Sequence, residues 1–269
     1  MTTGLPRQLD LFGSGGGGAP DTPGVNLWAP CDPARLDDRG LIAALPRATR
    51  AEAPGLAREA ARRGSQGAVP ALEALCRRLK GFGQDREVVE QTESLRALAV
   101  LGGRDAAAAV TRLVETGTIQ GPGIRVALDA AAALACRLPP DLVAGYLRHD
   151  DPAIRAAACK CARPADREAL TALLLDLHPP VVRQAALALG RLGHREGLDV
   201  LTRLLRTEPA PDVIAALAPI AGDDEAVLLG RAALTHPDLM PFVLEALENC
   251  LSDRAETVAS GLRRRMGTG

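Results

Sequence analysis

Three groups of residues in this sequence are of types that do chemistry: four histidines, six cysteines, and arginines that recur at helix-like starts. His149, His178, His194 and His236 fall at joints between segments of helical pattern. Stacked helical segments lie about 8–10 Å apart, too far for two joint histidines to share a zinc ion, so they read as turn and capping residues. Of the cysteines, Cys31, Cys76, Cys136, Cys159, Cys161 and Cys250, only Cys159 and Cys161 are close in sequence. A separation of two turns side chains about 200° apart on a helix, which excludes a shared metal, and all six read as small, reduced apolar residues. Arg125, Arg155 and Arg183 form a ladder that could take phosphates or a partner's acidic face. Pairing with acidic residues of adjoining repeats is the simpler expectation. No phosphate-cradling glycine loop, nucleophile elbow or metalloprotease motif is written in the chain, so no catalytic residue, metal or cofactor is expected.

The elements that would carry these residues follow from composition. Phe12, Trp28, Phe82, Tyr146 and Phe242 are the only aromatics, too few for the half-buried pleated surfaces of a β fold. Alanine and leucine dominate, and both lose little freedom in a helix, so the chain is expected to be all-α. A net charge of −1 supplies no field to draw it onto nucleic acid or an anionic bilayer, and no direct nucleic-acid binding is expected. There is no run of about 18 uncharged apolar residues and no apolar segment behind a basic start, which predicts neither a membrane span nor a secretory signal, hence a cytoplasmic protein.

Residues 13–24, Gly-Ser-Gly-Gly-Gly-Gly-Ala-Pro-Asp-Thr-Pro-Gly, lack the apolar side chains that would offset the entropy of ordering them. The chain therefore divides into a flexible, disordered tail over 1–24, a transition and N-terminal cap over 25–49, and a repeat array over 50–266. Within the array a shift of 28 residues superposes Ile154 on Val182, Ala158 on Ala186 and Cys161 on Leu189, and in the following helix Leu170 on Leu198, Leu173 on Leu201 and Leu177 on Leu205. Prolines and glycines mark the joints, which predicts seven helix pairs: 50–64/67–80, 86–101/104–116, 122–137/140–148, 152–162/165–176, 179–192/195–206, 211–220/223–235 and 238–250/253–266. A pair of such short helices cannot bury its apolar stripe alone, but stacked neighbours share a continuous core.

A helix that opens with Pro-x-Val/Ile-Arg, runs through Ala-Ala and is followed by a leucine-rich partner resembles the HEAT-repeat family. The short period is most similar to its bacterial subgroup of roughly 30-residue units, first noted in bilin-attaching lyases. The resemblance covers about residues 50–266 and implies a right-handed superhelical scaffold used for binding. Shared fold does not carry the lyase chemistry with it.

Before the linker stands Gln8-Leu9-Asp10-Leu11-Phe12, which is similar to the pentapeptide by which bacterial replication and repair proteins dock on the sliding DNA clamp. All five positions match. The resemblance implies that Gln8 orients by hydrogen bonding while Leu11 and Phe12 anchor in an apolar pocket, with Leu9 and Asp10 between them. The other use open to these residues is to fold back on the first repeat as a cap.

These features together predict a non-enzymatic adaptor or scaffold, a HEAT-like solenoid with a protein partner on its surface and the sliding clamp as a further partner through its tail. The alternative is a cytosolic HEAT-repeat scaffold unrelated to replication. Third stands a helical-repeat enzyme, lyase-like or DNA-glycosylase-like. Three aromatics in the array are few for walls around an extruded base, which weighs against the glycosylase.

Overall fold

The computed structural model describes residues 32–250 and 252–266, and among them every regular element is a helix. The tail over 1–24, with Gln8, Leu9, Asp10, Leu11 and Phe12, lies outside the described residues. A leading helix, α1 (Asp38–Ala44), precedes seven pairs: α2 (Ala53–Arg63) and α3 (Val69–Arg78), α4 (Val89–Leu101) and α5 (Gly103–Glu115), α6 (Gly123–Ala133) and α7 (Pro140–Leu147), α8 (Pro152–Cys161) and α9 (Arg167–Leu173), α10 (Pro179–Arg191) and α11 (Leu198–Thr207), α12 (Pro211–Leu217) and α13 (Asp223–Thr235), α14 (Met240–Glu248) and α15 (Asp253–Met266). The all-α solenoid of seven pairs is as expected. Among the described residues no helix is long and apolar enough to cross a membrane.

Local sequence explains where the helices start and stop. Proline occupies the first helical position of α7, α8, α10 and α12, where its missing N–H would have been unpaired anyway. Asp151 caps α8 by accepting the Ala153 N–H at 2.8 Å. Gly193 (φ 79°) leaves α10 through the left-handed region, and Ala135 (φ 50°) does the same after α6 at a cost of about 1 kcal/mol.

The first helices of successive pairs, α2, α4, α6, α8, α10, α12 and α14, stack in chain order into one layer. Burial falls into two apolar clusters that meet in α10, where Ala185, Ala188 and Leu189 belong to the N-terminal cluster and Ala186 and Leu187 to the C-terminal one. The chief departure from apolar packing is α4. Its Gln91 amide donates to the Cys76 carbonyl at 3.0 Å, its Ser94 hydroxyl donates to the Glu90 carbonyl at 2.7 Å, and the Glu90 carboxylate accepts from the Arg50 Nε–H at 2.7 Å.

The 28-residue register holds in the alanines of the first helices, where Ala157, Ala158, Ala185 and Ala186 are all buried, although Val181 rather than Val182 matches the buried Ile154. It fails in the second helices. α8 has 10 residues and α10 has 13, so α11 starts 31 residues after α9, and buried Leu170 aligns with buried Leu201. Leu177, expected to match buried Leu205, lies past the end of α9 and is 93% exposed.

Helix α10 meets its neighbours closely at Gly190, where a Cβ would overlap the Ala216 carbonyl of α12 and come within 2.8 Å of Leu201 Cδ1. Replacing Gly190 by alanine is expected to destabilise the fold by about 1–3 kcal/mol, because packed backbone must move. Gly145, helical and with nothing near its missing Cβ, should instead gain about 0.5–1 kcal/mol as alanine. Urea unfolding of the two variants beside the parent measures both signs.

Candidate functional site

A cluster of charged side chains that includes a histidine sits where α9 gives way to α10. Pro179 restricts His178 before it to extended backbone (φ −102°, ψ 113°), so the helix cannot run back through this joint. Asp176, two residues earlier, folds its carboxylate over the turn and accepts the His178 backbone N–H at 2.9 Å. The same oxygen lies 3.1 Å from His178 Nδ1. From the first turn of α8, Arg155 donates Nε and Nη2 to the two Asp176 oxygens at 2.8 and 3.1 Å, while its Nη1 donates to the His149 and Asp150 carbonyls at 2.7 and 2.9 Å. Arg155 thus bridges the α7–α8 joint to the α9–α10 joint. With side chains 14% and 8% exposed, Arg155 and Asp176 are a largely desolvated, two-pronged ion pair.

This pairing keeps Asp176 ionised. The Arg155 guanidinium, helped by the His178 backbone N–H, lowers the Asp176 carboxyl to about 2, so it is ionised at neutral pH and can only accept. His178 Nδ1 lies 3.1 Å from that carboxylate and 3.4 Å from Arg155 Nη2, on a half-exposed ring. A carboxylate beside an imidazole whose ring reaches solvent is an arrangement suited to general acid–base chemistry. His149 Nδ1 instead accepts the Asp151 N–H at 3.0 Å. On either side of Asp176, Leu175 and Leu177 face outward, 87% and 93% exposed.

The expected capping role of the histidines is therefore corrected at this joint. His178 and His194 occupy helix N-cap positions without a side-chain capping bond, and His194 lies in the turn within a pair rather than between pairs. The local signal for the site was Asp176-Leu177-His178-Pro179: an acid two residues before a histidine that a proline holds extended. The arginine ladder divides. Arg183 pairs with Asp212 of the next pair at 2.9 Å, Arg155 with Asp176, and Arg125 with Asp129 of its own helix at 3.5 Å.

At the other end of α8, Cys136 and Cys161 line a cleft of about 380 Å³ together with Arg137, Lys160 and Arg163. Burial pushes the Cys161 thiol up to about 12, as it does those of Cys76 and Cys159, and raises Cys136 and Cys250 as well. These thiols are protonated at neutral pH and are not primed nucleophiles. A second cleft of about 430 Å³, between α12 and α14, is lined by Pro211, Ala215, Pro219 and Phe242, with Glu245 its single ionisable group. Among the described residues no three histidine, cysteine or acidic side chains group as metal ligands.

HEAT repeats match residues 139–221, the stretch that contains Arg155, Asp176 and His178. Among solved structures, the complex of CpcE and CpcF of phycocyanin lyase from Nostoc sp. PCC7120 is similar with a TM-score of 0.60 at 16% identity, covering 96% of this chain and 99% of the other. YibA of E. coli (TM-score 0.39, 15% identity, 81% and 93% covered) and an engineered protein (0.36, 18%, 87% and 97%) are more distant. No curated protein matches the chain in sequence.

The first similarity is one of fold, and it overturns the expectation of a non-enzymatic adaptor. That expectation took a HEAT-like solenoid without catalytic motifs to be a scaffold. A solenoid matched over almost its whole length by this chain belongs to a lyase.

Replacing Asp176 by asparagine should cost about 2 kcal/mol at pH 7, since charge-assisted hydrogen bonds are lost and Arg155 is left uncompensated. A carboxyl lowered from 3.8 to about 2 on folding stabilises fully above its unfolded value and loses that contribution as pH falls toward 2. The gap between parent and variant in urea midpoint should be constant from pH 7 to about 5 and close between about 4 and 2.

Proposed function

We propose that the chain is a lyase-type solenoid working with a protein partner, with His178 as the group that moves the proton. The observation that carries this reading is the near full-length similarity to a chain of the CpcE–CpcF phycocyanin lyase complex. It is supported by the His178 imidazole, half exposed and 3.1 Å from a carboxylate that Arg155 holds ionised. The reaction class is addition of a thiol across a carbon–carbon double bond of a bilin. His178 Nε2 takes the thiol proton, the sulfur pair forms the C–S bond, and the displaced π pair takes the proton back from the imidazolium, so the step is balanced without an oxidant. Asp176 positions the ring, and Arg155 holds Asp176 ionised.

Incubating the protein with apo-phycocyanin and a bilin, followed by a denaturing gel stained with zinc for covalent pigment, tests this. The parent should form the adduct, and His178→Gln should slow it by about 100-fold or more. No adduct with the parent, or equal rates with the variant, overturns the reading.

We also infer, on a division into tail 1–24, transition 25–49 and array 50–266, that Gln8, Leu9, Asp10, Leu11 and Phe12 form a protein-binding linear motif, supported by the match at all five positions. A labelled peptide of residues 1–13 should bind a bacterial sliding clamp in the micromolar range, read by anisotropy. Leu11→Ala with Phe12→Ala should abolish binding, and Asp10→Ser should leave it intact.

A further inference from the structure

The cleft between α12 and α14 encloses about 430 Å³, within the range of about 300–1,000 Å³ that small-molecule sites occupy. Pro211, Ala215, Pro219, Phe242 and Ala246 make its walls apolar, and the Phe242 ring is held 43% exposed. Three acceptors stand along it. Pro219 has no N–H, so the Ala215 carbonyl four residues before it lacks its helical donor, and the Ala218 N–H is spent on the Ile214 carbonyl. The Asn249 amide donates to the Glu245 backbone carbonyl at 2.9 Å, which leaves its Oδ1 to accept. The third acceptor is the exposed Glu245 carboxylate, which makes no ion pair among the described residues.

Charge around the cleft says what fits. Neither α12 nor α14 carries a lysine or arginine, and between Arg206 and Arg254 the only one is Arg231 of α13. Two arginines reach these helices from their neighbours, and both are engaged: Arg183 faces Asp212 at 2.9 Å and Glu208 at 3.9 Å, and Arg263 faces Glu248. Arg206, Arg231 and Arg254 make no ion pair among the described residues, and none of the three lines the cleft. Glu245 is thus the one charged group of the lining. An organic anion would meet it as a like charge, and a neutral apolar molecule would strip water from it without a replacement. Phe242 and Glu245, three residues apart, share one face of α14, so an aromatic ring and a carboxylate can reach the same bound group. That combination suits a cation, and the further acceptors suit one that carries N–H donors.

We propose that the α12–α14 cleft binds a small organic ammonium with an apolar body, the ammonium between Glu245 and the Phe242 ring and the body against Pro211, Ala215 and Pro219. The site shares no residue with the Asp176–His178 turn and is independent of whether the chain is a lyase.

The probe is tryptamine, an indole with an ammonium on a two-carbon arm. Indole-3-propionate, similar in shape and opposite in charge, and uncharged 3-ethylindole are the controls. In equilibrium dialysis against the full chain at pH 7 and low salt, tryptamine should bind at least about tenfold more tightly than the propionate. About 0.5 M salt should remove most of that preference. Glu245→Gln should weaken tryptamine by about fivefold and leave 3-ethylindole unchanged, whereas Phe242→Ala should weaken both. Both side chains are exposed, so the two variants should keep the parent's melting curve. No saturable binding of tryptamine, equal binding of the amine and the acid, or a Glu245→Gln variant that keeps the parent's preference for the amine overturns the proposal.

Discussion

The structure depends on how closely helix α10 can approach its neighbours. Every residue from Ala185 to Gly190 is buried, and neighbouring positions serve two different cores, so α10 has no face left for solvent over this stretch. Small residues make that possible. Alanine at 185, 186 and 188 and glycine at 190 let α8, α11 and α12 come in on separate sides, with the Ala216 carbonyl filling the space that a Cβ would need. A helix hydrophobic all round is the mark of a buried element, here one that joins two halves of a stack. The alanine content that first identified the chain as helical is thus also what fixes the spacing of its layers.

Because α10 is held so firmly, its first turn is a fixed platform, and the joint that leads into it inherits that rigidity. Pro179 starts the helix, His178 is pinned by the proline, and Asp176 is pinned by Arg155 from α8. The ion pair is costly to desolvate and would be weak evidence of stability alone. Its use here is positional, since it ties two joints together and places the Asp176 carboxylate against the His178 ring.

What the sequence made legible follows from which signals are local. Proline and glycine at the joints, and apolar spacing within helices, placed all seven pairs. The second-helix register was not legible, because α10 has three more residues than α8 and leucines recur so often that a 28-residue shift still finds partners for Leu170, Leu173 and Leu177. The buried polar run Glu90, Gln91, Thr92 and Ser94 was equally hidden, since its partners outside α4 lie in the turn before α2 (Arg50), in α3 (Cys76) and in the loop after α5 (Thr118). The pairing of Arg155 with an acid was readable from its recurrence. The role of His178 was not, because capping and pairing use the same residue types, and what separates them is the inward turn of Asp176 toward an arginine 21 residues away.

The state of the thiols constrains how a chain of this kind could take part in C–S chemistry. Burial keeps Cys76, Cys159 and Cys161 protonated up to about 12, and Cys136 and Cys250 are shifted the same way. A described cysteine of this chain would thus be a poor nucleophile at neutral pH. On the lyase reading the attacking sulfur must therefore arrive on another protein, with only the base supplied here. A base half exposed on a rigid turn suits a nucleophile brought by a docked partner better than one bound in a closed pocket.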